Sequence, residues 1–217
     1  MRTYSEADIR DVALIGHGGA GKTSLGEAIL YDTKSVTRLG RVDEESSNLD
    51  TEPEEKKRKG TINPHVAVVE WRKSKINLID TSGQGDFLTD SLLALSVADS
   101  AVVVVGAADG VQVYTEKTWQ ESERLGLPRL IFVNKMDRER ADFDQALEQI
   151  QRLLSEKAVP VTLPTPDLPT RGKRLIPGDG LPDGRGYGIR LSLADVKGIT
   201  PDLGFHPAMG ELAKLFG

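Results

Sequence analysis

The octapeptide Gly16-His17-Gly18-Gly19-Ala20-Gly21-Lys22-Thr23 constrains this chain more than any other stretch, because of what flanks it. It fits G-x-x-x-x-G-K-[ST], a loop whose backbone N–H groups cradle phosphates while its lysine reaches the terminal oxygens. Val12-Ala13-Leu14-Ile15 before it is a short apolar run of strand character, and residues 22–31 read as a helix. Strand, loop and helix in that order are the context such a loop requires. The helix N-terminus behind the loop favours anions, and its glycines let the backbone approach a phosphate closely. The bland alternative is a glycine-rich turn with an exposed lysine, and the flanking elements argue against it. Gly18, Gly19, Ala20, Gly21, Lys22, Thr23 and Ser24 are therefore candidate phosphate ligands. Lys22 acts as a point charge, and the Thr23 hydroxyl is offered to Mg²⁺. His17, inside the loop, is expected to serve packing rather than chemistry.

The rest of the first two-thirds alternates in the same way. His65–Trp71 alternates like a strand and Ile76–Asp80 reads as its hairpin partner. Residues 88–99 look helical, Ala101–Val105 is a β-branched run suited to burial on both faces, and 115–126 is helical. Leu130–Val133 is another buried strand, and Phe143, Leu147, Ile150 and Leu154 recur at helical spacing over 142–156. These elements predict an α/β fold, a mostly parallel sheet with helices on both faces. Residues 32–64 are polar without sustained period and read as a long mobile loop. After Pro164 the character changes: eight of the eleven prolines lie from Pro160 onward, among glycine-rich turn signals. We expect a nucleotide-binding domain over 1–163, incomplete at its C-terminal end, and an irregular Pro/Gly-rich tail over 164–217 with only a hint of helix near 207–216.

Composition excludes several classes. A chain of 217 residues fits one domain of ordinary size and needs no staples. With no cysteine there are no disulfides or thiolate metal sites, which suits a reducing, cytoplasmic setting. No signal peptide is read at the N-terminus, and no apolar run approaches the ~20 residues of a membrane span. A net charge of −5 argues against loose, charge-driven binding to nucleic acid. Lys56-Lys57-Arg58-Lys59, following Glu52, Glu54 and Glu55, reads as a solvated charged loop rather than an independent nucleic-acid patch.

Two further motifs turn a nucleotide site into a guanine site. Asn134-Lys135-Met136-Asp137 follows a buried strand. Guanine has donors at N1 and N2 that adenine lacks, so Asp137 can accept two hydrogen bonds from one base and none from the other. Lys135 is expected to lay its stem along the ring, and Asn134 to tie this loop to the phosphate loop. Asp80-Thr81-Ser82-Gly83-Gln84 ends the hairpin strand. Asp80 is expected to hold Mg²⁺ through a water, the Gly83 N–H to meet the γ-phosphate, and Gln84 to position the attacking water. Thr61, at the end of the polar loop, could give Mg²⁺ a second hydroxyl and lock the loop only when a γ-phosphate is present. The alternatives stay open: Gln84 as a polar loop residue touching nothing, and Thr61 as the lead-in to the strand at 65.

Together these residues resemble the translational GTPases, and specifically the elongation factor G family. The likeness extends to Gly110-Val111-Gln112 with Thr115-Glu116-Lys117-Thr118-Trp119, and to Val133–Arg138 with Ala141-Asp142-Phe143. Gly16–Leu25 is closer to the elongation factor G-like branch. The resemblance covers about residues 8–164. It implies a P-loop GTPase G domain that binds GTP and GDP, and a ribosome-associated GTPase stimulated by the large subunit. Four departures stand out. The family's Pro-Gly-His is Ser82-Gly83-Gln84 here; its acidic phosphate-loop residue is Gly19; its Arg-Gly-Ile-Thr-Ile is Arg58-Lys59-Gly60-Thr61-Ile62; and the likeness stops after Pro164. The last departure leads us to expect a fragment or frame-disrupted product, to be tested by reading the genomic sequence around codon 164 in all frames.

Three activities remain on the sequence alone. The leading one is slow hydrolysis of GTP·Mg²⁺ to GDP and phosphate, with Gln84 and Lys22 as catalytic groups, Thr23, Thr61 and Asp80 around the metal, and Asn134, Lys135 and Asp137 at the base. The second is a non-hydrolysing nucleotide-binding module. The third, a P-loop ATPase, needs Asp137 to be accidental.

Overall fold

The computed structural model describes residues 3–160 and the backbone of 187–191. Strand β1 (Ile9–Ile15) leads through the Gly-rich loop into α1 (Lys22–Asp32). A long connection carries the short helix α2 (Pro53–Arg58) before the hairpin β2 (His65–Trp71) and β3 (Ser74–Asp80). Then follow α3 (Leu88–Ser96), β4 (Ser100–Gly106), α4 (Val113–Arg124), β5 (Arg129–Asn134), α5 (Phe143–Leu153), β6 (Ala158–Pro160) and β7 (Tyr187–Leu191).

The seven strands form one sheet in the order β2-β3-β1-β4-β5-β7-β6. Its centre, β3-β1-β4-β5, is parallel, and the pairs at either edge are antiparallel. Side chains of adjacent residues point to opposite faces, so β1 and β4 each feed two cores. Val12, Leu14, Val102 and Val104 pack with Leu25, Ile29 and Leu30 of α1 on one face. Ala13, Ile15, Val103 and Val105 pack with Leu95 of α3, Trp119 of α4 and Ile150 of α5 on the other. Every residue of β4 is buried, as a strand covered on both sides must be.

This topology also decides where a site can form. From β1 the chain goes first to β3 on one side and later to β4 on the other. The crevice beyond the carboxyl end of β1 is therefore a topological switch point, where open α/β sheets bind ligands.

Two sequence expectations need correction. The connection 32–64 is not a structureless loop. It contains α2, opened by Pro53 at its first turn and a capping box in which Glu52 and Glu55 satisfy each other's backbone ends. On either side of α2 the Asn48, Leu49, Ile62 and Asn63 N–H groups donate to buried Glu27 and Glu55, contacts that leave no periodic trace in a sequence. Within the segment expected to be irregular, Tyr187–Leu191 is a strand inserted between β5 and β6. The rest of that segment, including the helix hint near 207–216, lies outside the described residues.

Candidate functional site

The phosphate loop leaves β1 at Gly16 and enters α1 at Lys22. Gly21, at φ +101°, takes a left-handed turn that few side chains tolerate, and a β-carbon there would lie 2.2 Å from Asn134 Nδ2. That closeness is used: Asn134 Nδ2 donates to the Ala20 carbonyl at 2.9 Å, joining the end of β5 to the loop. His17 stands edge-on to Tyr114, and its N–H donates to Thr115 Oγ1 at 3.3 Å, so it braces the loop against α4.

Lys22 is almost wholly buried, and its Nζ donates to the Gly16 and His17 carbonyls at 2.9 and 3.1 Å. Burial lowers its pKa to about 8, against the pull of Asp80 and Asp50. Asp80, fully buried at the end of β3, is pushed up to about 7 by burial, opposed by the Lys22 charge and by Thr23. Asp50 is likewise raised by burial, with Thr61 pulling the other way.

The oxygens around this trio are crowded. Thr61 Oγ1 donates to Asp50 Oδ1 at 2.7 Å and lies 3.4 Å from Asp80 Oδ2. Thr23 Oγ1 is 2.8 Å from Thr61 Oγ1, so with the Thr61 proton committed to Asp50 it is Thr23 that donates. One carboxylate oxygen each of Asp80 and Asp50 is buried with no hydrogen-bond partner. Leaving a buried carboxylate oxygen unpaired costs on the order of 1–3 kcal/mol or more. Two carboxylates and two hydroxyls make an all-oxygen donor set, and the single lysine beside them does not cancel its negative charge, which fits a hard divalent cation such as Mg²⁺.

A second carboxylate cluster lies beside it. Asp50, Glu55 and His65 each bring one ligand atom within 4.8 Å of the others. Glu55 is already occupied, accepting from the Ile62 and Asn63 N–H groups at 2.9 and 3.0 Å and from His65 Nε2 at 2.7 Å. It acts as a backbone anchor.

Gly83 closes the site from the β3 side. Its carbonyl accepts from the Gly18 N–H at 2.8 Å, and a β-carbon on it would stand 2.4 Å from both Gly18 N and Lys22 Nζ. Gln84 is exposed between the phosphate loop and the 61 segment. β-Carbons built on Gly18 and Gly60 would come 3.8 Å from its Cγ and 3.5 Å from its Nε2. At the other end Lys135 adopts φ +61°, a strained conformation for a lysine, and turns the chain so that exposed Asp137 borders the same cavity.

The cavity, about 620 Å³, is lined by every candidate catalytic, phosphate, base and metal residue named from the sequence except Ala20 and Asp80. Ala20 contributes its carbonyl to Asn134, and Asp80 sits behind the two threonines. Sequence reasoning missed Asp50, the wall formed by Gly40–Glu44, and Lys59 and Arg138 at the rim. Asp50 carries no local motif; only the fold brings it to Thr61.

The family described as Elongation factor Tu GTP binding domain matches residues 7–187, past the point where the resemblance read from the sequence stops. Elongation factor G of Mycoplasma pneumoniae is 37% identical over 163 residues, 75% of this chain and 24% of that protein. The elongation factor G-like protein of Thermotoga maritima is 36% identical over 157 residues, 72% of this chain and 22% of that one. A crystal structure of a Thermus thermophilus protein superposes with a TM-score of 0.66 at 42% identity, over 72% of this chain and 24% of the other. The chain thus spans about a quarter of the length of these relatives. Among the described residues no helix is long and apolar enough to cross a membrane. With its phosphate loop, its Asp80-to-Gln84 turn and its Asn-Lys-x-Asp loop around one cavity, the chain belongs to the elongation factor Tu GTP-binding domain family and is a G domain of the translational GTPases.

Proposed function

We propose that the chain binds GTP with Mg²⁺ and hydrolyses it to GDP and phosphate, as the G domain of a factor that works on the ribosome. The observation that carries this reading is the layout of one cavity: Lys22, Thr23 and Thr61 line one end, and Lys135 and Asp137 line the other. A nucleoside triphosphate spans the two. Gly18–Ser24 would hold the phosphates through backbone N–H groups, Lys22 the terminal oxygens, and Asp137 the guanine edge, with Lys135 along the ring. Thr23 and Thr61, backed by Asp80 and Asp50, would hold the metal. When bound, Mg²⁺ supplies positive charge against the β- and γ-phosphate oxygens.

Hydrolysis is an in-line attack of water on the γ-phosphorus, breaking its bond to the β–γ bridging oxygen. Gln84 would orient that water, and Lys22 and the loop N–H groups would stabilise the charge that develops. Without a stimulating partner such domains turn over on the order of 10⁻⁴ s⁻¹. The ribosome as partner, elongation as process and a cytoplasmic location belong to the same proposal, supported by the names of the relatives and by the sequence.

A second reading, binding without hydrolysis, has one observation in its favour. The Gly18 N–H donates to the Gly83 carbonyl, so the turn must rearrange before that N–H can face a phosphate. Calorimetric titration with GDP and then ATP in Mg²⁺ tests the nucleotide reading, with tight GDP binding and silent ATP expected. Single-turnover phosphate release from GTP separates hydrolysis from binding alone.

A further inference from the structure

Two buried carboxylates take no part in the site proposed above, yet they hold the segment that carries Asp50 and Thr61. Glu27 lies on α1 one turn beyond Thr23, hence on the same helix face, and is fully buried. It accepts four hydrogen bonds from three consecutive residues: Ser47 Oγ at 2.7 Å, Asn48 N at 2.5 Å, Asn48 Nδ2 at 2.7 Å and Leu49 N at 3.0 Å. Glu55, also fully buried, accepts from Ile62 N, Asn63 N and His65 Nε2. The first anchor ends one residue before Asp50, and the second begins one residue after Thr61. Between them Thr61 donates to Asp50 at 2.7 Å.

Each anchor is tied to the rigid sheet layer, Glu27 through α1 and Glu55 through His65 at the start of β2. Hydrogen bonds to a charged, buried acceptor are among the strongest a protein makes. A segment with little regular structure of its own is thereby fixed on both sides of its functional hydroxyl.

We infer that Glu27 is a positioning residue, with Glu55 as its counterpart, that holds Thr61 in place for the metal–nucleotide site. This rests on the nucleotide reading above. Glu27 touches no reacting group. It acts through residues 47–49 on Asp50, and through Asp50 on Thr61.

The test uses the full chain and Glu27→Gln, whose amide would turn a donor toward a wall of donors. Hydrogen exchange in saturating GTP and Mg²⁺ should show the Asn48 and Leu49 amides protected in the wild type and released in the variant. GDP affinity in EDTA should stay within about twofold, while the Mg²⁺ concentration needed for half-maximal GTP binding should rise about tenfold, the effect of losing a hydrogen bond or two to a charged acceptor. A merely structural role would weaken GDP binding in EDTA as well. Unprotected amides in the wild type, or an unchanged Mg²⁺ requirement in the variant, overturns the inference while the nucleotide reading stands. A wild-type chain that binds no guanine nucleotide overturns both. Should Glu27→Gln not fold, Ser47→Ala with Asn48→Ala removes two of the four donors and is read in the same way.

Discussion

The hydroxyls of Thr23 and Thr61 lie 2.8 Å apart although 38 residues separate them, and Thr61 is held there by a 2.7 Å bond to Asp50. One threonine comes from the rigid start of α1, the other from the long connection to β2. In the proposed site their meeting point would offer a metal two hydroxyl oxygens, with the buried Asp80 behind them.

Thr61→Ala should therefore leave GDP binding in EDTA intact and weaken the Mg²⁺ dependence of GTP binding on the order of ten- to a hundredfold, as loss of a partner at a metal site commonly does. Magnesium titrations monitored by a fluorescent GTP analogue check this. An unchanged requirement would make Thr61 simply the lead-in to β2.

Asn134→Ala removes the buried bond from the end of β5 to the Ala20 carbonyl. The carbonyl is left with one partner fewer, so the chain should lose about 1–3 kcal/mol in denaturant unfolding. GDP affinity should fall too, because the base loop and the phosphate loop are then no longer joined. Equilibrium unfolding and calorimetry on the same preparation separate the two effects.

How much of this was legible in the sequence differs between local and long-range features. The phosphate loop, β4 and α5 were readable because glycine placement, β-branched runs and helical spacing are local. The position of Asn134 beside the phosphate loop followed from motif order. Asp50 and the anchoring by Glu27 were not readable. Asp50 meets the Thr61 hydroxyl 11 residues on, and Glu27 meets the Ser47 hydroxyl and the Leu49 N–H 20 and 22 residues on, and a polar carboxylate in a helix looks the same whether solvated or buried. The capping box around α2 was a legible signal, through Pro53 and the Glu52/Glu55 pair, hidden by the charge density around it.

Glu55 supplies a pH dependence. Burial alone would raise its pKa, but the Ile62 N–H, His65 and the Asn63 N–H together hold it below the ordinary glutamate value. A depressed folded-state pKa means stability that is present above the unfolded value, near 4.3, and lost as pH falls through the folded one. The Ile62 and Asn63 amides should stay protected from neutral pH down to the ordinary glutamate range and lose protection below it. In Glu55→Gln that acid-dependent step should vanish and protection should be low throughout. Amide exchange between pH 7 and pH 3, corrected for intrinsic rates, measures it.

Asp137→Asn should convert guanine recognition into rejection. The carboxylate is exposed and would be covered by the base itself, where it can accept from both N1 and N2. An amide puts a donor in place of one acceptor, and the loss of two hydrogen bonds to a charged group should reduce GDP affinity on the order of a hundredfold or more. Xanthine, with an acceptor at its 2-position, should bind better than guanine. Competition between GDP and XDP reads the switch, and equal weakening of both would detach Asp137 from the base.

Gln84→Ala decides between hydrolysis and simple binding. The side chain stands exposed near Gly18 and Gly60, where a β-carbon on either would touch it, and its N–H donates to Ser82 Oγ at 3.3 Å. It can swing toward a water on the γ-phosphate without displacing any buried group, so truncation should not disturb the fold. GTP and GDP affinities should stay the same, because the group acts only on the attacking water. The single-turnover rate should fall on the order of ten- to a hundredfold, the signature of an interaction made in the transition state alone. A rate that does not change would remove glutamine from the reaction. The altered turn at Ser82-Gly83-Gln84 would then mark a G domain that keeps its nucleotide and uses it as a structural clamp.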